Sequence, residues 1–106
     1  MAERTFGEVA TKLLFENDRV KVWEMDLAPG QASDLHEHHH DYLLIQVEGD
    51  KIAGIFEEDT HGEYPPGTVE GDVAYGNVFW TERGGVETAK NTGTKPYREI
   101  LVELKD

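Results

Sequence analysis

The stretch Gly30-Gln-Ala-Ser-Asp-Leu-His36-Glu-His38-His-His-Asp-Tyr42 decides how this chain of 106 residues is interpreted. In an extended strand, side chains two residues apart point to the same side, so His36 and His38 direct their imidazoles at one point. Imidazole is a ligand that suits zinc, copper, iron and nickel. The pair therefore predicts half of a binding site for a divalent metal ion.

The composition favours one small domain. A mass of 12.0 kDa allows a single hydrophobic core but not two. No stretch approaches the roughly 18 apolar residues of a membrane span, and the polar N-terminus lacks the apolar block of a signal peptide. These features predict a soluble, cytoplasmic protein. Because the chain contains no cysteine, thiolate chemistry and cysteine-based zinc sites are excluded.

The charge balance argues against anionic partners. The chain has 22 acidic and 10 basic residues, which gives a net charge of -12 at pH 7. A field of this sign repels phosphate backbones and anionic lipid, so we expect neither a nucleic-acid partner nor a membrane partner. The same field attracts cations, although solubility alone is a sufficient explanation for an acidic surface.

Short β-rich runs alternate with turn residues along the chain, which predicts an all-β sandwich or barrel. The predicted strands are Arg19 to Leu27, Tyr42 to Val47, Lys51 to Phe56, Val69 to Tyr75, Asn77 to Thr81, Val86 to Asn91 and Tyr97 to Leu104. Gly49-Asp50 separates two apolar runs and is predicted to form a tight hairpin. Residues 5–15 are compatible with a strand or with one turn of helix.

These elements resemble the cupin superfamily (RmlC-like), specifically the small single-domain cupins. The first family motif is Gly-x5-His-x-His-x3 or 4-Glu-x6-Gly, and the second is Gly-x5-Pro-x-Gly-x2-His-x3-Asn. The matching residues are Gly30, His36, His38 and Gly49 in the first motif, and Gly76, Gly84 and Asn91 in the second. The resemblance implies one cupin-type double-stranded β-helix (jelly-roll) barrel in residues 1–106, with its core at about 19–104.

The chain departs from both motifs at positions that bind metal in the family. Tyr42 stands at the glutamate position and Glu87 at the position of the last histidine, while Glu82 replaces the proline. His36 and His38 transfer as ligands. Two imidazoles and one carboxylate form the ligand set of non-haem iron(II) oxygenases, so we expect Glu87 to restore the missing carboxylate. The alternative is a lost or weakened site.

The resemblance thus implies one divalent transition metal as cofactor, and iron, manganese, nickel and zinc all accept such a ligand set. Tyr42 has the same parity as His36 and His38 and is expected to face the interior as a catalytic residue. Near a metal its phenol can act as a ligand or as a general base. The alternative is that it packs across the barrel and hydrogen-bonds a water molecule.

The remaining histidines are expected to lie in different environments. His40 shares the inward parity and is a reserve ligand, whereas His39 and Asp41 are expected to point to solvent or to a partner subunit. His61 is expected to be exposed. The aromatic residues Trp23, Phe79 and Trp80 are expected in the core or at an interface rather than in a ligand-stacking group.

Three functions are compatible with these observations. The first is a metal-dependent enzyme of dioxygenase or lyase type that acts on a small organic molecule. The second is a sensor or carrier that binds a metal or small ligand without turnover, and the third is a dimeric scaffold with a decayed site. The fold alone does not decide between them. The resemblance also implies a homodimer, because an isolated barrel of this size has edges to cover, near the N-terminal stretch and Trp23.

Overall fold

The computed structural model describes residues 4–105, and this part of the chain forms nine β-strands and no helix. The strands are β1 (Lys12–Glu16), β2 (Val20–Leu27), β3 (His36–Glu37), β4 (Asp41–Glu48), β5 (Lys51–Phe56), β6 (Gly67–Asp72), β7 (Val78–Thr81), β8 (Val86–Lys90) and β9 (Tyr97–Leu104). The seven predicted strands are all present. For residues 5–15 the structure selects the strand alternative, beginning at Lys12. Within residues 4–105, no helix has the length and apolar character needed to span a bilayer.

The strands form two antiparallel sheets that enclose one interior. The five-stranded sheet has the order β1-β2-β9-β4-β7, and the four-stranded sheet has the order β3-β8-β5-β6. The connections β1–β2 and β5–β6 remain within one sheet. The other connections between these strands pass from one sheet to the other. Residues far apart in sequence therefore face a common interior, as in a double-stranded β-helix.

The prediction of a tight hairpin at Gly49-Asp50 is wrong. β4 pairs with β7 and β9, and β5 pairs with β6 and β8, so this turn joins strands of different sheets. Gly49 has a φ of +134°, and a Cβ at this position would lie 2.9 Å from Cδ1 of Tyr97. Turn residues specify a change of direction. They do not specify the strand with which the chain pairs afterwards.

The apolar core lies between the sheets and depends mainly on the two central strands β2 and β9. Successive residues of a strand point to opposite faces, so alternate residues of each strand enter the core. From β2 these are Trp23, Met25 and Leu27, and from β9 they include Tyr97 and Leu101.

The three aromatic residues singled out in the sequence divide between core and surface. Trp23 is 5% exposed, and its Nε1 donates a hydrogen bond of 2.7 Å to Oε1 of Glu103. Phe79 and Trp80 lie on the edge strand β7 and are 44% and 51% exposed. Trp23 is therefore a core residue, and its ring is not available as a main contact for a partner subunit.

Candidate metal centre

The centre lies on the interior face of the four-stranded sheet. His36 of β3 and Glu87 of β8 are direct neighbours across the two strands. The pairing continues past the end of β3, because the backbone N–H of His38 donates to the carbonyl of Gly85 and that of Gly84 donates to the carbonyl of His38, both at 2.9 Å. This pairing places His36 and His38 on the same face, as the alternation predicts.

The three predicted metal ligands meet in the structure. Nε2 of His38 lies 3.0 Å from Oε1 of Glu87, and Nε2 of His36 lies 3.8 Å from the same oxygen. One potential ligand atom from each of the three residues lies within 4.8 Å of the other two. The histidines are 1% and 2% exposed, so the group is buried. Two imidazole nitrogens and a carboxylate oxygen thus face one point.

The electrostatics of the centre keep the carboxylate ionised. Burial by itself raises the pKa of Glu87, but hydrogen bonds and charge interactions with His36 and His38 outweigh it and lower this pKa to about 2. Burial lowers the pKa of His36, and here too the contact with Glu87 prevails, so the pKa of His36 is raised. Both shifts favour the charged forms, so Glu87 and His36 stabilise each other's charge.

The second nitrogen of each imidazole determines how well the ring is oriented. Nδ1 of His36 lies 2.8 Å from the carbonyl oxygen of Asp34 and donates to it, which directs Nε2 toward Glu87. Metal-binding histidines characteristically donate their other N–H in this way. Nδ1 of His38 is buried and has no hydrogen-bond partner among residues 4–105. The donor set fits a divalent transition metal, with His36 the better oriented of the two rings.

Tyr42 faces the interior, as its parity predicts. Its ring stacks on that of His38 with a centroid distance of 4.2 Å and an interplanar angle of 21°. Tyr42 is 4% exposed, and burial together with the charge of Glu87 raises the pKa of its phenol well above 10.0. Burial therefore favours the protonated form of the phenol.

The structure does not place His40 in the interior. The backbone bends at residue 40 between β3 and β4, so the alternation of an extended strand does not continue through this segment. His40 is half-buried and lines a surface pocket together with His39 and Glu37. It lies outside the group formed by His36, His38 and Glu87 within the described part of the chain.

The other polar residues of this region lie at or near the protein surface. His39 and His61 are exposed, as expected, and Nε2 of His61 lies 3.1 Å from Oε2 of Glu37. Asp41 is half-buried rather than free in solvent. Its Oδ1 accepts hydrogen bonds from the backbone N–H of Arg83 at 2.9 Å and from Nε of Arg83 at 3.1 Å. This contact ties β4 to the loop that precedes β8.

Sequence reasoning missed Gly54, which makes room for the candidate ligand Glu87. A Cβ at Gly54 would lie 2.9 Å from Oε2 of Glu87 and 3.0 Å from Cε1 of Phe56. An isolated glycine in a strand signals a close approach of another group, so Gly54 within Lys51 to Phe56 carried a usable signal.

Sequence reasoning also missed a second carboxyl group in the interior. The sheets enclose a cavity of about 230 Å³, and its lining includes the three candidate ligands, Tyr42 and Glu99 of β9. Glu99 is 3% exposed, and burial together with the charge of Glu87 raises its pKa to about 7, against the effect of a hydrogen bond from Tyr97. The inward alternation of β9 carried the signal for this residue.

Comparison with known proteins gives a consistent result for the fold. No protein-family model matches the chain, and no curated protein matches it in sequence. Among solved structures, a cupin domain from Bordetella pertussis Tohama I is 22% identical, with a TM-score of 0.76 and coverage of 100% of both chains.

Two further solved structures with lower sequence identity have a similar fold. An RmlC-like cupin family protein with a double-stranded β-helix fold from Methanocaldococcus jannaschii is 15% identical, with a TM-score of 0.66, over 98% of this chain and 92% of that one. The polyketide cyclase RemF from Streptomyces resistomycificus is 14% identical, with a TM-score of 0.59, over 85% and 57%. The crossing of the chain between two antiparallel sheets and these likenesses establish the fold: the chain has the double-stranded β-helix fold of these cupin structures.

Proposed function

We propose that this protein binds one divalent transition metal through His36, His38 and Glu87 and is a metal-dependent enzyme of dioxygenase or lyase type. The observation that supports the proposal is the convergence of the three ligand atoms within 4.8 Å in a buried site. Two imidazoles and one carboxylate leave coordination positions open for further ligands. Iron, manganese, nickel and zinc are the candidate metals.

Groups of the protein supply the negative charge, the ring orientation and the proton donor that such a site needs. The low pKa of Glu87 keeps it ionised without a metal, and a metal would compete with protons for the imidazole nitrogens of His36 and His38. The carbonyl of Asp34 orients His36. A bound metal would supply Lewis-acid polarisation of a substrate oxygen. Tyr42, stacked on His38, is the proposed proton-transfer partner, and its protonated phenol is suited to donate.

The proposed substrate is a small organic molecule. The cavity of about 230 Å³ opens directly on His36, His38 and Glu87, so a molecule bound there would lie against the metal site. Ligand sites are concave and mostly apolar with few polar groups, which describes this interior. The name of one structural neighbour, a polyketide cyclase, shows that a protein with a similar fold acts on an organic molecule.

Metal analysis tests the site. Untagged protein is stripped with a chelator and reconstituted under anaerobic conditions with Fe²⁺, Mn²⁺, Ni²⁺ or Zn²⁺, and the bound metal is measured by elemental analysis. We expect one metal per chain, and a drop in affinity of roughly 100-fold or more for Glu87→Gln. His61→Ala, at an exposed histidine, is the matched control. Equal metal content in wild type and Glu87→Gln would contradict the proposal.

A second variant tests the proposed role of Tyr42. Tyr42→Phe removes the phenolic hydroxyl and retains the ring that stacks on His38. We expect unchanged metal affinity and a slower reaction for any substrate found by screening. Equal turnover would remove the proposed role of Tyr42.

We also propose that two copies of this chain pair through β1. This strand is at the edge of the five-stranded sheet and is exposed along its whole length. Leu13, Leu14 and Phe15 are 42%, 45% and 54% exposed. An exposed apolar edge strand is a template for pairing with another strand, and proteins otherwise protect such edges with charges.

A further inference from the structure

A hydrogen bond from Tyr97 holds a second polar group in the cavity, on the sheet opposite the metal centre. Glu99 of β9 and Gln46 of β4 are direct cross-strand neighbours. Oε1 of Gln46 accepts from Nδ2 of Asn77 at 3.0 Å. The Tyr97 hydroxyl donates to Oε1 of Glu99 at 2.5 Å. One oxygen of Glu99 is therefore held in place by Tyr97.

The second oxygen of Glu99 has no such partner. None of the hydrogen bonds or ion pairs of residues 4–105 involves Oε2 of Glu99, and the side chain lines the cavity. This oxygen is not among the fully buried unpartnered atoms, so it is accessible from the cavity, where a bound molecule would satisfy it. Nothing in the proposed metal centre uses this group.

The surroundings of Glu99 define what could satisfy it. The cavity that Glu99 lines is largely apolar outside the metal centre, and its lining includes Met25, Leu44, Ile52, Phe56 and Leu101. A ligand with a compact apolar body and one hydroxyl group would match both the walls and the carboxyl.

We propose that Glu99 is a specificity-determining residue that binds the hydroxyl group of a small, otherwise apolar ligand in the cavity. This inference rests on the proposed small-molecule function and names the class of ligand. Burial also raises the pKa of Glu99 to about 7, so near neutral pH the carboxyl group can donate as well as accept a hydrogen bond. Tyr97 occupies one oxygen and thereby directs the other to the ligand.

Phenol and toluene test this proposal, because they have nearly the same shape and differ in the hydroxyl group. Their dissociation constants are measured by NMR titration of metal-free protein in the presence of a chelator. In Glu99→Met, we expect the preference for phenol over toluene to fall about tenfold relative to wild type. In Glu99→Gln, which retains a hydrogen-bonding amide, we expect a change of less than about threefold. Glu82→Gln, at an exposed carboxylate outside the cavity lining, is the control for a general loss of charge.

A direct readout makes the test independent of how well Glu99→Met folds. In wild-type protein labelled with ¹³C at glutamate carboxyl groups, phenol should shift the Glu99 resonance, identified by its absence in Glu99→Gln, and toluene should not. An unchanged preference in folded Glu99→Met, an unshifted Glu99 resonance, or no saturable binding of phenol would overturn the proposal. Zn²⁺ binding is measured separately, so failure of the metal site is distinguished from failure of this subsite.

Discussion

Replacing Glu87 by Gln should destabilise the metal-free protein most strongly at mildly acidic pH. The amide has nearly the shape of the carboxylate but no charge, so it loses the ionic interaction with the two imidazoles. Those imidazoles lie 3.0 and 3.8 Å from Oε1 of Glu87. The carboxylate is only 12% exposed, so solvent screens the interaction weakly.

The magnitude follows from the pKa of Glu87, which is lowered from 4.5 to about 2. This difference corresponds to about 3 kcal/mol of unfolding free energy. Because the pKa is lowered, the contribution is present above pH 4.5 and is lost as the pH falls toward about 2. The pKa of His36 is raised above 6.5, so the same ion pair weakens again as the pH rises through that raised value. The effect should therefore be largest between these limits.

Urea unfolding in the presence of a chelator measures this effect at about pH 3, 5.5 and 9. We expect a loss of about 3 kcal/mol for Glu87→Gln at the middle pH and a smaller loss at the other two. Glu82→Gln, at an exposed glutamate of the preceding loop, should change stability by less than about 0.5 kcal/mol. An equal loss at all three pH values, or no loss at the middle one, would refute the reasoning.

Three further variants probe other parts of the structure. Gly54→Ala should displace Glu87 and weaken Zn²⁺ binding roughly tenfold. Gly71→Ala is the control, because a Cβ at Gly71 meets no atom within 4 Å. This variant should bind Zn²⁺ like wild type in the same titration. Glu99→Gln should stabilise the protein by about 3 kcal/mol at about pH 9 and have little effect at about pH 4 in urea unfolding. The reason is that the raised pKa of Glu99, about 7 against 4.5, costs stability as the pH rises between these values. Leu14→Lys should convert a dimer into monomers in analytical ultracentrifugation without loss of β-structure, and a wild-type monomer would disprove the proposed pairing.

The sequence predicted the parts of the site that depend on local rules. The alternation of side chains along a strand is local, so it correctly placed His36 and His38 on one face and Tyr42 in the interior. The rule failed at His40 because the backbone bends there, and no residue type at this position signals the bend. Turn chemistry failed at Gly49-Asp50 for a related reason: it describes a reversal but not the sheet of the next strand.

The carboxylate ligand was predicted from motif spacing, yet its position depends on strand register. Glu87 is 51 residues from His36 in sequence, and only the pairing of β3 with β8 makes them neighbours. Gly54 acquires its importance in the same way, because the close approach of Glu87 is a contact between β5 and β8.

The sequence by itself determined the strand content, the acidic character and the two-residue spacing of the histidines, since these depend on the side chains of neighbouring residues. Only the tertiary structure decided that Glu87 completes the candidate site and that Glu99 enters the same cavity with a raised pKa. Burial and long-range pairing produce both results, and neither is a property of a short segment. The ionisation of each carboxyl group is set by the charges and the burial that folding brings around it.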